Sequence, residues 1–368
     1  SNPIDRTMKT PTLRYLLVGD QQQSGIPWRG RDVSRLALYL LGPPRIELDG
    51  QPVRLSRRKA LALLARLAVE PDPHHRDALA TLLWPEYDQS GARGRLRRTL
   101  SSLHRALGGE WFAVDREMIG LNLEACFWLD VAEFCKRLAV CETHTHPAND
   151  PCPDCLTRLT EAAELYRDDF MSGFTLSDSL TFDEWQLLQA QALRAELAGA
   201  LERLVCSHHT HEQYEAALPF ARRWAALDLL HEPAQRYVME LYTRMGQASA
   251  ALHQYEFCEL TLAQELGLRP SQETRALYER IRSGKELGPA PTAPSCLPHN
   301  LPAQPTPFLG REAELAHIKR RLDDPTCRLL TLVGPGGIGK TRLALQSALE
   351  IAESPSGRTK FSHGIYFV

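Results

Sequence analysis

The chain has 368 residues, 43% of them hydrophobic and 24% charged, with a formal net charge of −2. These values fit two to three globular domains that bury a real core, and they exclude a chain that is basic overall, so any nucleic-acid contact must come from a local patch. No apolar run approaches a membrane span and no signal-like leader opens the chain, while nine scattered cysteines argue against a disulfide framework; together these features point to the cytoplasm.

Residues 1–32 are polar and without period, with Gln21, Gln22, Gln23, Ser24, Gly25 and Pro27 close together, and read as an irregular tail. From Leu36 short strands are expected over 36–42, 45–48 and 52–55, with a turn at Asp49-Gly50-Gln51. Ser56 is the candidate N-cap of a first helix whose Leu61, Leu64, Ala65 and Ala68 fall at helical spacing, ended by Pro71 and Pro73. A second helix is predicted over Arg76–Leu83. A third opens at Ser90 and stops at Gly108-Gly109.

The third helix is the most informative of these. Leu96, Leu100, Leu103 and Leu107 share one face, and Arg97, Arg98, Ser101 and Arg105 project on the opposite side. Five arginines lie between Arg93 and Arg105 with no acid among them. Two extended stretches, 111–114 and 118–121, then flank a polar turn at Asp115-Arg116-Glu117. Strands, three helices and a hairpin in this order resemble a winged helix of the OmpR type, in which the third helix enters the major groove and the hairpin touches the backbone. On that reading Arg97, Arg98 and Ser101 face base edges. The flanking Arg93 and Arg105, with Arg57, Arg58 and Lys59 of the first helix, hold phosphates. A solvated arginine face on an ordinary amphipathic helix carries the same pattern.

A helix bearing Cys135 leads into a loop rich in Cys and His: Cys141, His144, His146, Cys152 and Cys155. Cys152 and Cys155 form a C-x-x-C just before a helix start, a spacing that suits two thiolates on one tetrahedral Zn²⁺, with Cys141 and either His144 or His146 to complete the set. The competing reading is a polar loop that binds nothing. A redox C-x-x-C fits less well because no strand precedes it.

From Leu156 to about Ser283 the chain reads as helices, interrupted by the acidic and aromatic loop DDFMSGFTLSDSLTFDEW and resumed in a long helix from Glu184 to about His208. Ala217-Leu218 and Ala251-Leu252 recur 34 residues apart, with Tyr214 and Ala248 at matching positions, and a period of that length in paired helices is the tetratricopeptide signature. A plain helical bundle is the alternative. Residues 286–307 are proline-rich and read as an extended linker.

The last segment carries FLGRE at 308–312 and GPGGIGKT at 334–341, the latter between the apolar run Leu329–Val333, expected as a strand, and a helix. This is the Walker A pattern. Gly334, Gly336, Gly337 and Gly339 let successive amides, with that of Ile338, turn toward phosphate oxygens. Lys340 is expected to reach the outer phosphates and Thr341 to hold Mg²⁺. A phosphoryl-transfer site also needs a second acidic strand, which the strand-like 364–368 does not supply; with a start at Ser1, this gives the expectation of a piece of a longer protein, the opening of an ATPase and not catalytic by itself.

Taken together, the segments DDFMSGF with SDSLTFDEW, AALHQYEFCELTLAQELGLRPSQET, and FLGRE followed by GPGGIGKT resemble the SARP and AfsR type of bacterial transcriptional activator, in its large members that continue into a STAND or NB-ARC ATPase. The resemblance spans residues from about 36 to 368. It implies a mainly α multidomain fold: an OmpR-type winged helix-turn-helix at 33–130, a tetratricopeptide-like α-helical activator domain at 131–285, the linker, and the start of an α/β P-loop NTPase at 308–368. It implies double-stranded promoter DNA and RNA polymerase as partners, a homo-oligomer, ATP with Mg²⁺ as the switch ligand, and Leu309, Gly310 and Arg311 beside the nucleotide. The alternative class is a signalling ATPase or interaction scaffold that reads no DNA.

Overall fold

The computed structural model describes residues 35–108, 111–122, 125–144, 151–284, 301, 308, 310–324, 327, 329–334, 339–353 and 365. The irregular tail, the linker apart from Leu301, and the 364–368 stretch apart from Ile365 lie outside these residues.

The first half follows chain order as β1 (Leu36–Tyr39), β2 (Arg45–Leu48), β3 (Gln51–Pro52), α1 (Arg58–Val69), β4 (His74–His75), α2 (Arg76–Leu83), α3 (Gln89–Leu107), β5 (Phe112–Val114), β6 (Met118–Leu121) and β7 (Phe127–Leu129). Asp49 and Gly50 both take positive φ, 52° and 76°, the backbone that an Asp-Gly pair favours in a two-residue hairpin and that matches the strand twist. β1 pairs antiparallel with β2 on one edge and parallel with β7 on the other, Leu36 opposite Phe127, giving the order β3-β2-β1-β7. A second sheet has the order β4-β6-β5. Its β5–β6 turn is held by Asp115, whose Oδ1 accepts from the amides of Glu117 at 2.7 Å and Met118 at 2.6 Å.

Three expected helix starts are corrected. α1 opens after Arg57, which is extended and makes no side-chain cap, so Ser56 does not cap it. α3 opens one residue before Ser90, because the carboxylate of Asp88 accepts from Gly91 N at 3.1 Å and satisfies an amide that a helix start leaves orphaned. The third concerns the long helix, α6 below.

The second half is helical: α4 (Asp130–Thr143), α5 (Pro153–Leu165), α6 (Leu180–Thr210), α7 (Tyr214–Leu227), α8 (Glu232–Arg244), α9 (Ala248–Leu266) and α10 (Gln272–Arg282). α6 begins four residues before Glu184 because the Ser179 hydroxyl accepts from Phe182 N at 3.3 Å. α7 and α9 start at Tyr214 and Ala248, and their Ala217 and Ala251 are both fully buried. Alanine at those positions lets neighbouring helices approach closely.

One hydrophobic core runs from Leu36 through the α1–α3 leucines to Leu241 on α8, with no break at the expected boundary near residue 130. A smaller cluster of Met239, Ala251, Tyr255, Leu277 and Ile281 closes α8, α9 and α10. At the boundary itself, the Asp130 carboxylate is 1% exposed and accepts from Leu40 N at 2.8 Å, Leu41 N at 2.9 Å and Val131 N at 2.9 Å. Burial pushes its pKa up, and the three amides and Arg167, 3.7 Å away, oppose that shift.

Beyond the linker, α11 (Glu312–Asp323) packs against α12 (Lys340–Glu353). The strand expected over Leu329–Val333 does not form: Leu329 is 85% and Val333 89% exposed. A buried parallel strand needs ladder partners on its edges, and no strand among the described residues pairs with this one. No helix among the described residues is long and apolar enough to cross a membrane.

Replacing Asp130 with Ala strands three buried amides, so the Asp130→Ala chain is expected to lose roughly 3–5 kcal/mol of stability in urea unfolding. Asp130→Asn, which keeps one acceptor oxygen, should lose less. Equal, near-zero losses in both would show that the carboxylate is not what joins the halves.

Candidate nucleic-acid interface

α3 displays its side chains as the sequence divides them. Leu96, Leu100, Leu103 and Leu107 are buried, and Arg93, Arg97, Arg98, Ser101 and Arg105 are exposed. The arginines differ in what holds them. Arg93 forms a bidentate pair with Asp77 of α2, and that pairing draws the Asp77 carboxyl below its usual range. Arg98 Nε donates to the Gly94 carbonyl of its own helix at 3.3 Å, and the Arg95 guanidinium lies 3.6 Å from the centre of the Tyr87 ring. Arg97, Ser101 and Arg105 are exposed and have no hydrogen-bond or ionic partner among the described residues.

The three basic residues of α1 are placed differently. Arg57 is exposed at the helix start. Arg58 donates from Nε and Nη2 to the Thr175 carbonyl at 3.0 and 2.7 Å and stacks over Phe174 at 4.7 Å. Lys59, with a side chain 14% exposed, meets Asp178 at 2.7 Å and Glu86 at 3.4 Å above the Trp84 ring. Arg58 and Lys59 are therefore bound to the segment between α5 and α6, a commitment invisible in a linear reading.

That segment is the acidic and aromatic stretch noted in the sequence. Met171 N donates to the Leu40 carbonyl at 2.7 Å, Ser179 Oγ to the Leu82 carbonyl at 2.5 Å, and Trp185 Nε1 to Glu70 at 3.0 Å. Phe170, Phe174, Phe182 and Trp185 form a chain of tilted and edge-on ring contacts, and the Arg66 guanidinium lies 4.8 Å over Trp185. Its 175–178 turn forms one wall of a groove of about 750 Å³ whose lining holds Arg57, Arg58, Lys59, Arg95 and Arg98 against two acids, Glu86 and Asp178. Thr175, Asp178 and Trp185 escaped the sequence reading; the clustering of acids and aromatics was their only signal.

Three of the four predicted metal ligands come together. His144 Nδ1 lies 3.5 Å from Cys152 Sγ and 3.2 Å from Cys155 Sγ, and the three ligand atoms fall within 4.8 Å of one another. Cys141, expected in the loop, is instead on the last turn of α4, buried, with its Sγ 3.8 Å from the Cys155 carbonyl. The hydrogen bond with His144 lowers the Cys152 thiol, whereas burial raises that of Cys155. His146 lies outside the described residues.

Of the Walker A residues, Gly334, Gly339, Lys340 and Thr341 are described, and Gly336, Gly337 and Ile338 are not, nor is Leu309. Gly339 has φ 87°, which a Cβ would strain, and Lys340 Nζ donates to the Gly334 carbonyl at 2.9 Å, drawing the two ends of the loop together. Gly310 and Arg311 also take positive φ, and Arg342, beside Thr341, lies 5.9 Å from the Phe308 ring. Phe308 thus sits next to the start of α12.

Residues 129–282 match the family described as the bacterial transcriptional activator domain. The chain is similar to the transcriptional regulatory protein EmbR of Mycobacterium tuberculosis, 28% identical over 261 residues that cover 67% of this chain and 63% of EmbR. It is similar to the regulatory protein AfsR of Streptomyces coelicolor, 26% identical over 360 residues, 90% of this chain and 34% of AfsR. The chain thus spans less than two thirds of the length of these curated relatives. A solved structure of Mycobacterium tuberculosis EmbR in complex with a low-affinity phosphopeptide superposes with a TM-score of 0.54 at 22% identity, over 78% of this chain and 72% of that one, a likeness of fold.

The Lys59–Asp178 pair is short but open to solvent on its acidic side, where Asp178 is 54% exposed, so a double-mutant cycle on Lys59→Ala and Asp178→Ala should return a coupling of about 0.5 kcal/mol in denaturant unfolding. A coupling indistinguishable from zero would mean that the turn is held by its aromatic contacts alone.

Proposed function

We propose that this chain is a cytoplasmic DNA-binding transcriptional regulator, acting as an activator. The observation that carries the reading is the exposed face of α3, where Arg97, Ser101 and Arg105 have no partner among the described residues while the leucines opposite are buried. The homology to EmbR and AfsR, both regulatory proteins, supports it. In this reading the first half is a winged helix-turn-helix: α3 enters the major groove, Arg97, Arg98 and Ser101 meet base edges, Arg105 and Arg57 meet phosphates, and Arg93 joins them only by releasing Asp77. Arg58 and Lys59 would reach DNA only by exchanging their contacts to Thr175 and Asp178 for phosphate oxygens, so they serve first to fix the groove wall.

The helices from α6 to α10 act as a tetratricopeptide-like surface for self-assembly and for RNA polymerase, in keeping with the 34-residue offset between the starts of α7 and α9. The described loop residues fit a phosphate site: Gly339 carries the backbone a nest requires, and Lys340 and Thr341 open α12, whose N-terminus favours an anion. Lys340 would hold the outer phosphates of ATP and Thr341 the Mg²⁺, whose charge would complete neutralisation of the phosphates, with Gly310 and Arg311 alongside. Nucleotide binding would then gate assembly as a population shift between states.

Two experiments test this. Selection of bound duplexes from a random library at two salt concentrations should enrich one motif. Affinity for it should fall steeply with salt, and Arg97→Ala should weaken it by about 1–3 kcal/mol. Failure to bind any duplex at low salt, with the chain folded, would favour the interaction-scaffold reading. Separately, Lys340→Ala should weaken ATP binding at least about tenfold in a fluorescent-nucleotide titration; an unchanged affinity would make the glycine loop a structural turn.

A further inference from the structure

The cluster at the α4–α5 junction has no part in DNA or nucleotide binding, yet it brings soft ligands from two helices to one point. His144 follows α4, Cys152 holds the N-cap position of α5, and Cys155 lies in the first turn of α5. Two bonds of 2.3 Å to sulfur and about 2.0 Å to nitrogen at tetrahedral angles place S and N about 3.6 Å apart. The observed separations of His144 Nδ1 from the two thiols, 3.5 and 3.2 Å, are close to that edge. Cys141 adjoins on the inner side: its Sγ is 3.4 Å from the Arg137 carbonyl and 3.8 Å from the Cys155 carbonyl, and its thiol neighbours that of Cys155.

The geometry points to a structural zinc site formed by Cys141, His144, Cys152 and Cys155. Three thiolates and an imidazole favour Zn²⁺ over hard cations, and four protein ligands leave no open position for water or substrate. The ion would tie the last turn of α4 to the first turn of α5 across residues 145–151. It would hold this helical pair where Phe134 and Tyr166 pack against each other at a ring separation of 5.7 Å. The site is independent of the regulatory reading, and holds whether or not the chain binds DNA.

The test is metal analysis of the whole chain purified under reducing conditions and dialysed exhaustively. About one zinc per chain is expected, retained in the control Cys126→Ser and lost in Cys152→Ser and Cys155→Ser. Because those variants can unfold, a second measurement uses the unaltered protein: stripped with chelator and refilled, it should show alkylation of Cys152 slowed at least about tenfold by zinc, with Cys327 unaffected. Cobalt in place of zinc should give the visible bands of a tetrahedral thiolate site. The proposal is overturned by less than about a tenth of a zinc per chain with alkylation indifferent to zinc. A Cys152–Cys155 disulfide in the reduced preparation would overturn it as well, as would zinc retained undiminished by folded Cys152→Ser and Cys155→Ser chains.

Discussion

Three amides converge on one carboxylate at the point where the strand-and-helix half of this chain becomes the helical half. Asp130 accepts from Leu40 and Leu41 at the end of β1 and from Val131 in its own helix, in a setting that water does not reach. A strand that leaves its sheet exposes amides, and a helix that starts inside a core exposes more. One acid satisfies both sets. Its placement fixes the parallel pairing of β7 with β1, since β7 delivers Asp130 to that position. The continuous core from Leu36 to Leu241 is possible because the polar groups at its centre are already satisfied.

This junction changes what the basic residues can do. A separate DNA-binding module would leave the α1 cations facing solvent. Here the segment between α5 and α6 lies over α1, takes Arg58 and Lys59 as partners, and leaves the middle of α3 open. The acid–aromatic stretch is thus a clasp. Aromatic rings supply its contact area, Ser179 and Trp185 its directional bonds, and Asp178 its charge. Of the α1 cations, only Lys59 gains a carboxylate from the clasp, while Arg58 is held by the Thr175 carbonyl and the Phe174 ring.

What was legible in the sequence was local in origin. The order of strands and helices, the leucine and arginine faces of α3, and the Asp-Gly turn each depend on residues within a few positions of one another. Helix starts were less so, because Asp88 and Ser179 cap where Ser90 and Glu184 were expected to open the helix, and only geometry chooses between neighbouring candidates. The Cys/His spacing foretold a cluster, but not that Cys141 would belong to α4, since an extra helical turn costs no change in composition. Contacts such as Arg58 with Thr175 span 117 residues and leave no periodic trace. The strand before the glycine loop failed for a related reason: an apolar run defines a strand only when partners are there to pair with it.

α6 has 31 residues, so at 1.5 Å per residue it is about 46 Å long. Its first turns carry Phe182 and Trp185 into the clasp, and its last turns carry His209 against Tyr214 and Tyr237 of the following helices. Such a rod has mechanical leverage. A tilt of about 5° at the α8 end displaces the clasp end by roughly 4 Å, more than the length of a hydrogen bond. A load on the far helices would therefore reach the wall of the basic groove through this one element.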